Sequence, residues 1–176
     1  KDTVYPSCTS GNVSLNLPAL PDATIIGPDA ICKDLPAAFV PANPQPGWSY
    51  FWVLDDQVTN LQQNVSRVYD GTLDQFEVIL TVTNALGCTD TQSHIINITQ
   101  DDFVGDFETS ATSACIGSGI DITFVNTNSA NIPSNFIWKR NGIAVGTTSV
   151  PTFEVFQSGI YSVEVGNAFG CTKEFG

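Results

Sequence analysis

The chain has 176 residues, with 6 Lys and Arg against 18 Asp and Glu and a formal net charge of −12. So acidic a surface repels phosphate backbones and anionic headgroups, which excludes nucleic-acid binding and docking on an anionic membrane; no apolar run reaches the ~18–20 residues of a membrane-spanning helix. With 42% hydrophobic residues but only 14% charged, 14 Gly, 10 Pro and no Met, the profile is that of a folded, turn-rich secreted β-protein.

Taken in chain order, Cys8-Thr9 followed by Val13–Leu17 reads as the last strand of a preceding unit whose body is missing, which leaves Cys8 without its natural partner or as an intermolecular thiol. Pro36, Pro41, Pro44 and Pro46 exclude a helix in the next stretch, which leads into the aromatic run Tyr50-Phe51-Trp52. Phe76, Val78, Leu80 and Val82 alternate with Glu77, Ile79, Thr81 and Thr83, the period-two pattern of a strand with one buried face. Asn84–Gly87 is predicted to be a short hairpin loop that delivers Cys88 into a final strand containing Ile95-Ile96-Asn97-Ile98. The acidic residues Asp101, Asp102, Asp106 and Glu108 then mark a junction. Beyond it Ile120, Ile122 and Phe124 alternate with polar residues, and Phe136-Ile137-Trp138 is a second aromatic run. Asn141-Gly142 predicts a tight hairpin, because both positions of such a turn need positive φ. Ile160, Tyr161, Val163 and Val165 predict another strand, and Asn167–Gly170 repeats the earlier loop before Cys171. Nowhere do apolar residues hold helical spacing for the length of a stable helix.

These elements form an internal repeat. Val82-Thr83-Asn84-Ala85-Leu86-Gly87-Cys88-Thr89 returns as Val165-Gly166-Asn167-Ala168-Phe169-Gly170-Cys171-Thr172, and Cys32 and Cys115 each precede a strand and then a Trp. The shared order Cys, Trp, Asn-Ala-x-Gly-Cys divides the chain into residues 1–20, the last strand of a truncated repeat, and two homologous units, 21–100 and 101–176. Each unit offers some seven short strands, so the expected fold is all-β, two tandem Ig-like (PKD-like) antiparallel sandwiches. Sandwiches this small are only marginally stable, and the matching cysteines predict one bridge per unit, Cys32–Cys88 and Cys115–Cys171, each contributing roughly 4 kcal/mol by chain entropy. Trp52 and Trp138 are expected in the cores against those bridges. Paired cysteines place the protein in an oxidising compartment, secreted or at the cell surface, and no CxxC-like pairs point to a metal site instead.

The stretch Phe76–Thr91 resembles the closing half of a PKD-type or related Ig-like repeat, and the second unit matches it through Ser158–Val165 and Asn167–Cys171. The cysteine-bearing version is similar to repeats of large Bacteroidota cell-surface proteins, including gliding-motility adhesins exported by type IX secretion. At the central strand, Trp52-Val53-Leu54-Asp55-Asp56 and Trp138-Lys139-Arg140-Asn141-Gly142 keep only the Trp and a turn residue of the PKD signature, so Ig-like is the safer description. The resemblance implies a sandwich used as a spacer or adhesive module, with no catalytic residues to carry over.

The residues themselves support no reaction. His94 is the only histidine, so no catalytic constellation and no cofactor is expected. The acidic cluster at 101–108 reads as a solvated hinge rather than a calcium site, and Asp55-Asp56 as a turn. Asn12, Asn64 and Asn97 begin N-x-[ST] sequons, and Asp2-Thr3-Val4 fits an O-glycosylation acceptor pattern. Trp48, after Pro46-Gly47, is the one candidate for stacking on a ligand such as a surface glycan. The expected function is that of non-catalytic, disulfide-stapled stalk repeats whose expected partners are neighbouring repeats of the same chain and a surface glycan or protein. The alternatives are a carbohydrate- or protein-binding module and an accessory domain of a secreted hydrolase.

Overall fold

The structure, a computed structural model, describes residues 20–55, 58–115 and 117–176. Cys8, the strand expected over Val13–Leu17, Asn12, Asp2-Thr3-Val4 and Asp56 lie outside the described residues.

Fifteen strands and no helix make up the described residues, arranged as two successive sandwiches. In the first, one sheet has the order β1 (Ile25–Ile26), β3 (Pro36–Pro41), β6 (Val65–Val68). The facing sheet has the order β2 (Ala30–Cys32), β8 (Thr89–Thr99), β7 (Gln75–Thr83), β4 (Ser49–Val53), β5 (Thr59–Asn60). Pairing is antiparallel except where β2 runs parallel to the end of β8. In the second, β9 (Gly105–Thr109), β10 (Ile120–Asn126) and β13 (Thr152–Val155) form one sheet in the order β13-β10-β9. The other has the order β12 (Ile143–Thr148), β11 (Asn135–Arg140), β14 (Tyr161–Gly166), β15 (Thr172–Phe175).

Alternation sets which side chains point inward. Val78, Leu80 and Val82 of β7 are fully buried around Trp52 and Phe39 in the first core, while Val163 and Val165 of β14 surround Trp138 in the second. The two clusters are separate, the first drawn from residues 23–98 and the second from residues 103–171 together with Cys32. Each Trp satisfies its indole N–H inside its own sandwich, Trp52 at the Gln62 carbonyl oxygen (3.0 Å) and Trp138 at Thr148 Oγ1 (2.9 Å). The hairpin over Asn141-Gly142 has positive φ at both residues, 51° and 79°. Ile160, expected to begin its strand, instead lies just ahead of β14 and is 80% exposed.

The disulfide pairing departs from the expectation of one bridge per unit. Cys32 is bonded to Cys171, across the two sandwiches, while Cys88 and Cys115 are unbridged. Strand length is the reason. Cys32 lies in register with Thr99, at the far end of the eleven-residue β8 from Cys88. At about 3.3 Å per residue that is roughly 35 Å, whereas a disulfide needs Cα atoms about 4.4–6.8 Å apart. In the second sandwich Cys115 precedes the start of β10, whereas Cys171 neighbours Asn167, which reaches Asn131 beyond the other end of that strand. The buried cluster around Trp52 therefore holds no bridge, whereas Cys32 and Cys171 are buried in the same cluster as Trp138.

Candidate functional site: the clasped junction

The chain passes from one sandwich to the next between Thr99, the end of β8, and Gly105, the start of β9. Two local structures meet there. One is the turn after β2, in which Leu35 N–H donates to the Cys32 carbonyl (3.3 Å) and Asp34 has a φ of 62°. The other is the loop Asn167–Cys171. Asn167 Oδ1 accepts from the backbone N–H groups of Phe169 (3.0 Å) and Cys171 (3.1 Å), and Gly170 takes a φ of 88°. An Asn side chain that bonds the backbone two residues on builds such a turn unaided, and only glycine enters the left-handed region without penalty.

The loop seats on the turn through the Cys32–Cys171 disulfide, with Cα atoms 5.0 Å apart, and through Cys32 N–H donating to the Phe169 carbonyl (2.9 Å). Both cysteines are buried, at 4% and 1% exposure. The linker is pinned as well. Buried Asn131 donates from Nδ2 to the Gln100 carbonyl (2.8 Å) and to Asp102 Oδ1 (3.0 Å), and its Oδ1 accepts from Asn167 (3.0 Å). Asn128 donates to the Asp102 carbonyl and carboxylate, and Lys173 Nζ donates to the Phe103 carbonyl (2.8 Å). From the first sandwich, Lys33 pairs with Asp101 at 2.8 Å.

The acidic residues expected to form a solvated hinge thus have structural partners at 101 and 102, while Asp106 accepts from the N–H of Phe107. Among the described residues no group of three or more His, Cys, Asp or Glu is placed to hold a metal ion. The hydrogen bond and charge of Lys33 hold the Asp101 carboxyl below the ordinary carboxylate range, and Asp101 raises the Lys33 ammonium above the ordinary lysine range. The lowered carboxyl contributes stability above the ordinary Asp range, and loses it as pH falls through the lowered value; the raised ammonium contributes below the ordinary Lys range and loses it as pH climbs through the raised one. We expect Asp101→Asn to lower the melting temperature slightly at neutral pH, and the gap between the two proteins to close in a melting series carried below the folded-state value of Asp101.

The other expected positions lie elsewhere. Trp48 is half-buried and packs against the first core. His94 Nε2 lies 3.0 Å from the Pro28 carbonyl and 3.6 Å from Asp29 Oδ1, its ring edge-on to Phe39. Asp55 pairs with Arg67 at 2.8 Å and caps its own turn by accepting from Val58 N–H. An open concavity of about 640 Å³ at the trailing end of the second sandwich is lined by Thr109, Ala114, Cys115, Ile120, Phe156 and Tyr161 among others, none of them charged. Among its described lining residues are the Cys115 thiol and no His, Asp, Glu or Lys.

The fold has solved counterparts. Fibronectin(III)-like modules of Clostridium thermocellum CbhA superpose with a TM-score of 0.52 at 7% identity, the match covering 86% of this chain and 90% of theirs. Murine CEACAM1b aligns at 10% identity with a TM-score of 0.43, over 86% of this chain and 96% of its own. The Ig1-2 module of the Drosophila receptor protein tyrosine phosphatase DLAR aligns at 16% identity with a TM-score of 0.35, over 86% and 93%. The first match establishes an Ig/fibronectin III-like fold, and at these identities fold is all that is shared. The sequence matches no model of a known protein family and no curated protein.

What sequence reasoning missed is the junction itself. Cys32 ends β2 just ahead of a turn and Cys171 closes its loop, and a bridge between such strand-end positions joins poles of neighbouring sandwiches rather than facing sheets. The glycine of the loop reports on the contact. A Cβ at Gly170 meets Leu35 Cδ1 at 2.8 Å, whereas one at Gly87 of the matching loop meets nothing within 4 Å. Both substitutions to Ala carry the left-handed penalty of about 1–2 kcal/mol. Leu35 Cδ1 is the free end of an exposed side chain and can turn away, so Gly170→Ala is expected to lower the melting temperature about as little as Gly87→Ala does.

Proposed function

We propose that this chain is a load-bearing spacer made of Ig-like repeats, 21–100 and 101–176 with residues 1–20 closing an earlier repeat, in the stalk of a large secreted cell-surface adhesin. The observation that carries this reading is the junction, where a disulfide, an ion pair and a buried asparagine fix one sandwich on the next. A protein whose sandwiches worked independently has no use for so many bonds at a linker. A disulfide-bonded Ig/fibronectin III-like fold fits an extracellular domain, and among the described residues no helix is long and apolar enough to cross a membrane. The resemblance of Phe76–Thr91 to PKD-type repeats of Bacteroidota surface proteins supports a gliding-adhesin-like parent exported by type IX secretion. Because Asp101 and Asp102 are held by Lys33, Asn128 and Asn131, stiffness here needs no calcium.

X-ray scattering tests the reading. We expect the profile to be unchanged by EDTA and to loosen when the bridge is reduced; a profile insensitive to reduction, or one typical of freely hinged sandwiches in the oxidised protein, would overturn it. A glycan array covers the binding alternative, with no saturable retention expected. Specific retention that is lost in Trp48→Ala would replace the spacer by a carbohydrate-binding module.

A further inference from the structure

The two unbridged cysteines stand in the same local structures as the two bridged ones. Cys88 closes the loop Asn84–Cys88, in which Asn84 Oδ1 accepts from the N–H groups of Leu86 and Cys88 (both 3.0 Å) and Gly87 has a φ of 84°. These are the bonds of Asn167–Cys171. Cys115 opens a turn in which Ser118 N–H donates to its carbonyl (3.0 Å) and Gly117 has a φ of 90°, as Leu35 and Asp34 do for Cys32.

The ends of the sandwiches match as well. At the leading end of the second, Asn128 donates to Asp102, and Thr127 N–H donates to the Val104 carbonyl (2.8 Å) ahead of the buried loop. At the leading end of the first, Asn43 donates to Asp22, Ala42 N–H donates to the Thr24 carbonyl (2.8 Å), and Asp90 accepts from Ala23 N–H. At the trailing end of the first, the turn of Cys32 is covered by the partner loop. At the trailing end of the second, the turn of Cys115 borders the open 640 Å³ concavity, whose lining includes Phe156 at 60% exposure.

We propose that Cys88 and Cys115 are the two open halves of the clasp seen at Cys32–Cys171: Cys115 takes the loop cysteine of a like module that follows, and Cys88 is taken by the turn cysteine of a like module that precedes. The inference rests on the spacer reading for the identity of the partner and on the bridged pair for the chemistry. Cys115 lies within the span from Cys32 to Cys171, so successive bridges overlap along the sequence and leave no repeat outside a closed loop. Closure is thiol–disulfide exchange with an external disulfide such as oxidised glutathione. The Cys115 thiolate attacks the glutathione disulfide and releases one glutathione thiolate. The Cys88 thiolate of the next module then attacks the cysteine sulfur of that mixed disulfide and releases the second, so two protein thiols are oxidised and one glutathione disulfide is reduced to two thiols.

The full chain carrying Cys8→Ser, concentrated in a glutathione redox buffer, tests this by peptide mapping of its interchain bridges. Random coupling of two equally reactive thiols makes the Cys88–Cys115 linkage half of the total. We expect that linkage to exceed the two symmetric ones together by at least tenfold, giving a head-to-tail ladder on a non-reducing gel that collapses to monomer in Cys88→Ser and in Cys115→Ser. Symmetric bridges at their random share, a ladder surviving either substitution, or no interchain bridge would each overturn the proposal. Scattering on the reduced and oxidised single chain reports on the spacer reading separately, so failure of one is distinguishable from failure of the other.

Discussion

Pulled from its two ends in an oxidising buffer, the chain is expected to lengthen only through the residues outside the Cys32–Cys171 loop. The bridge spans 139 residues, and tension entering at one end crosses the disulfide directly to the other. Neither core can add length by unfolding while that covalent path is closed. After reduction, or in the Cys32→Ser/Cys171→Ser variant, the same pull reaches both sandwiches and releases roughly 480 Å of extended chain at about 3.3–3.6 Å per residue. Single-molecule force extension reads the difference directly. Long rips in the oxidised protein would mean that the bridge is absent in solution and that the load runs through the hydrogen-bond ladders. The thermodynamic effect points the same way, because closing a loop of this length restricts the unfolded chain by about 5 kcal/mol in the chain-entropy model.

This arrangement divides the legible from the illegible in the sequence. The alternation of Val78, Leu80 and Val82 with Glu77, Ile79, Thr81 and Thr83, none of them fully buried, fixes which face of β7 is buried, because a one-residue slip would expose all three. Asn141-Gly142 and the two Asn-x-x-Gly-Cys segments are equally readable, since their backbone geometry is dictated by residues close in sequence. The cysteine partners are different. Equal spacing of Cys32 to Cys88 and of Cys115 to Cys171 is what one bridge per unit predicts, and also what a staggered clasp between units predicts. Local pattern cannot separate them, because the choice depends on which pole of the sandwich each turn occupies. A usable signal was present nonetheless: Cys88 and Cys171 each close an Asn-Ala-x-Gly turn, whereas a bridge between facing sheets needs both cysteines in mid-strand. The roles of Asp101 and Asp102 were hidden for the same reason, their partners Lys33, Asn128 and Asn131 being distant in sequence.

Trp138→Ala is the second large effect we expect. Trp138 is fully buried, stacked on Phe153 with ring centroids 5.7 Å apart, and hydrogen-bonded to Thr148. Removing such a ring costs about 3–5 kcal/mol through lost burial and the cavity left behind, which is comparable with the whole stability of a small domain, about 5–15 kcal/mol. Amide exchange should therefore show protection lost through β11 and β14. The first core shares no buried side chain with that cluster apart from the contribution of Cys32 at the seam, so β7 and β8 should keep their protection. Trp52→Ala should give the converse pattern. Loss of protection in all four strands from either substitution would mean that the two sandwiches fold as one cooperative unit. The boundary between 100 and 101 would then mark a seam in the packing rather than a division between repeats, and the clasp would be reinforcing a single body instead of joining two.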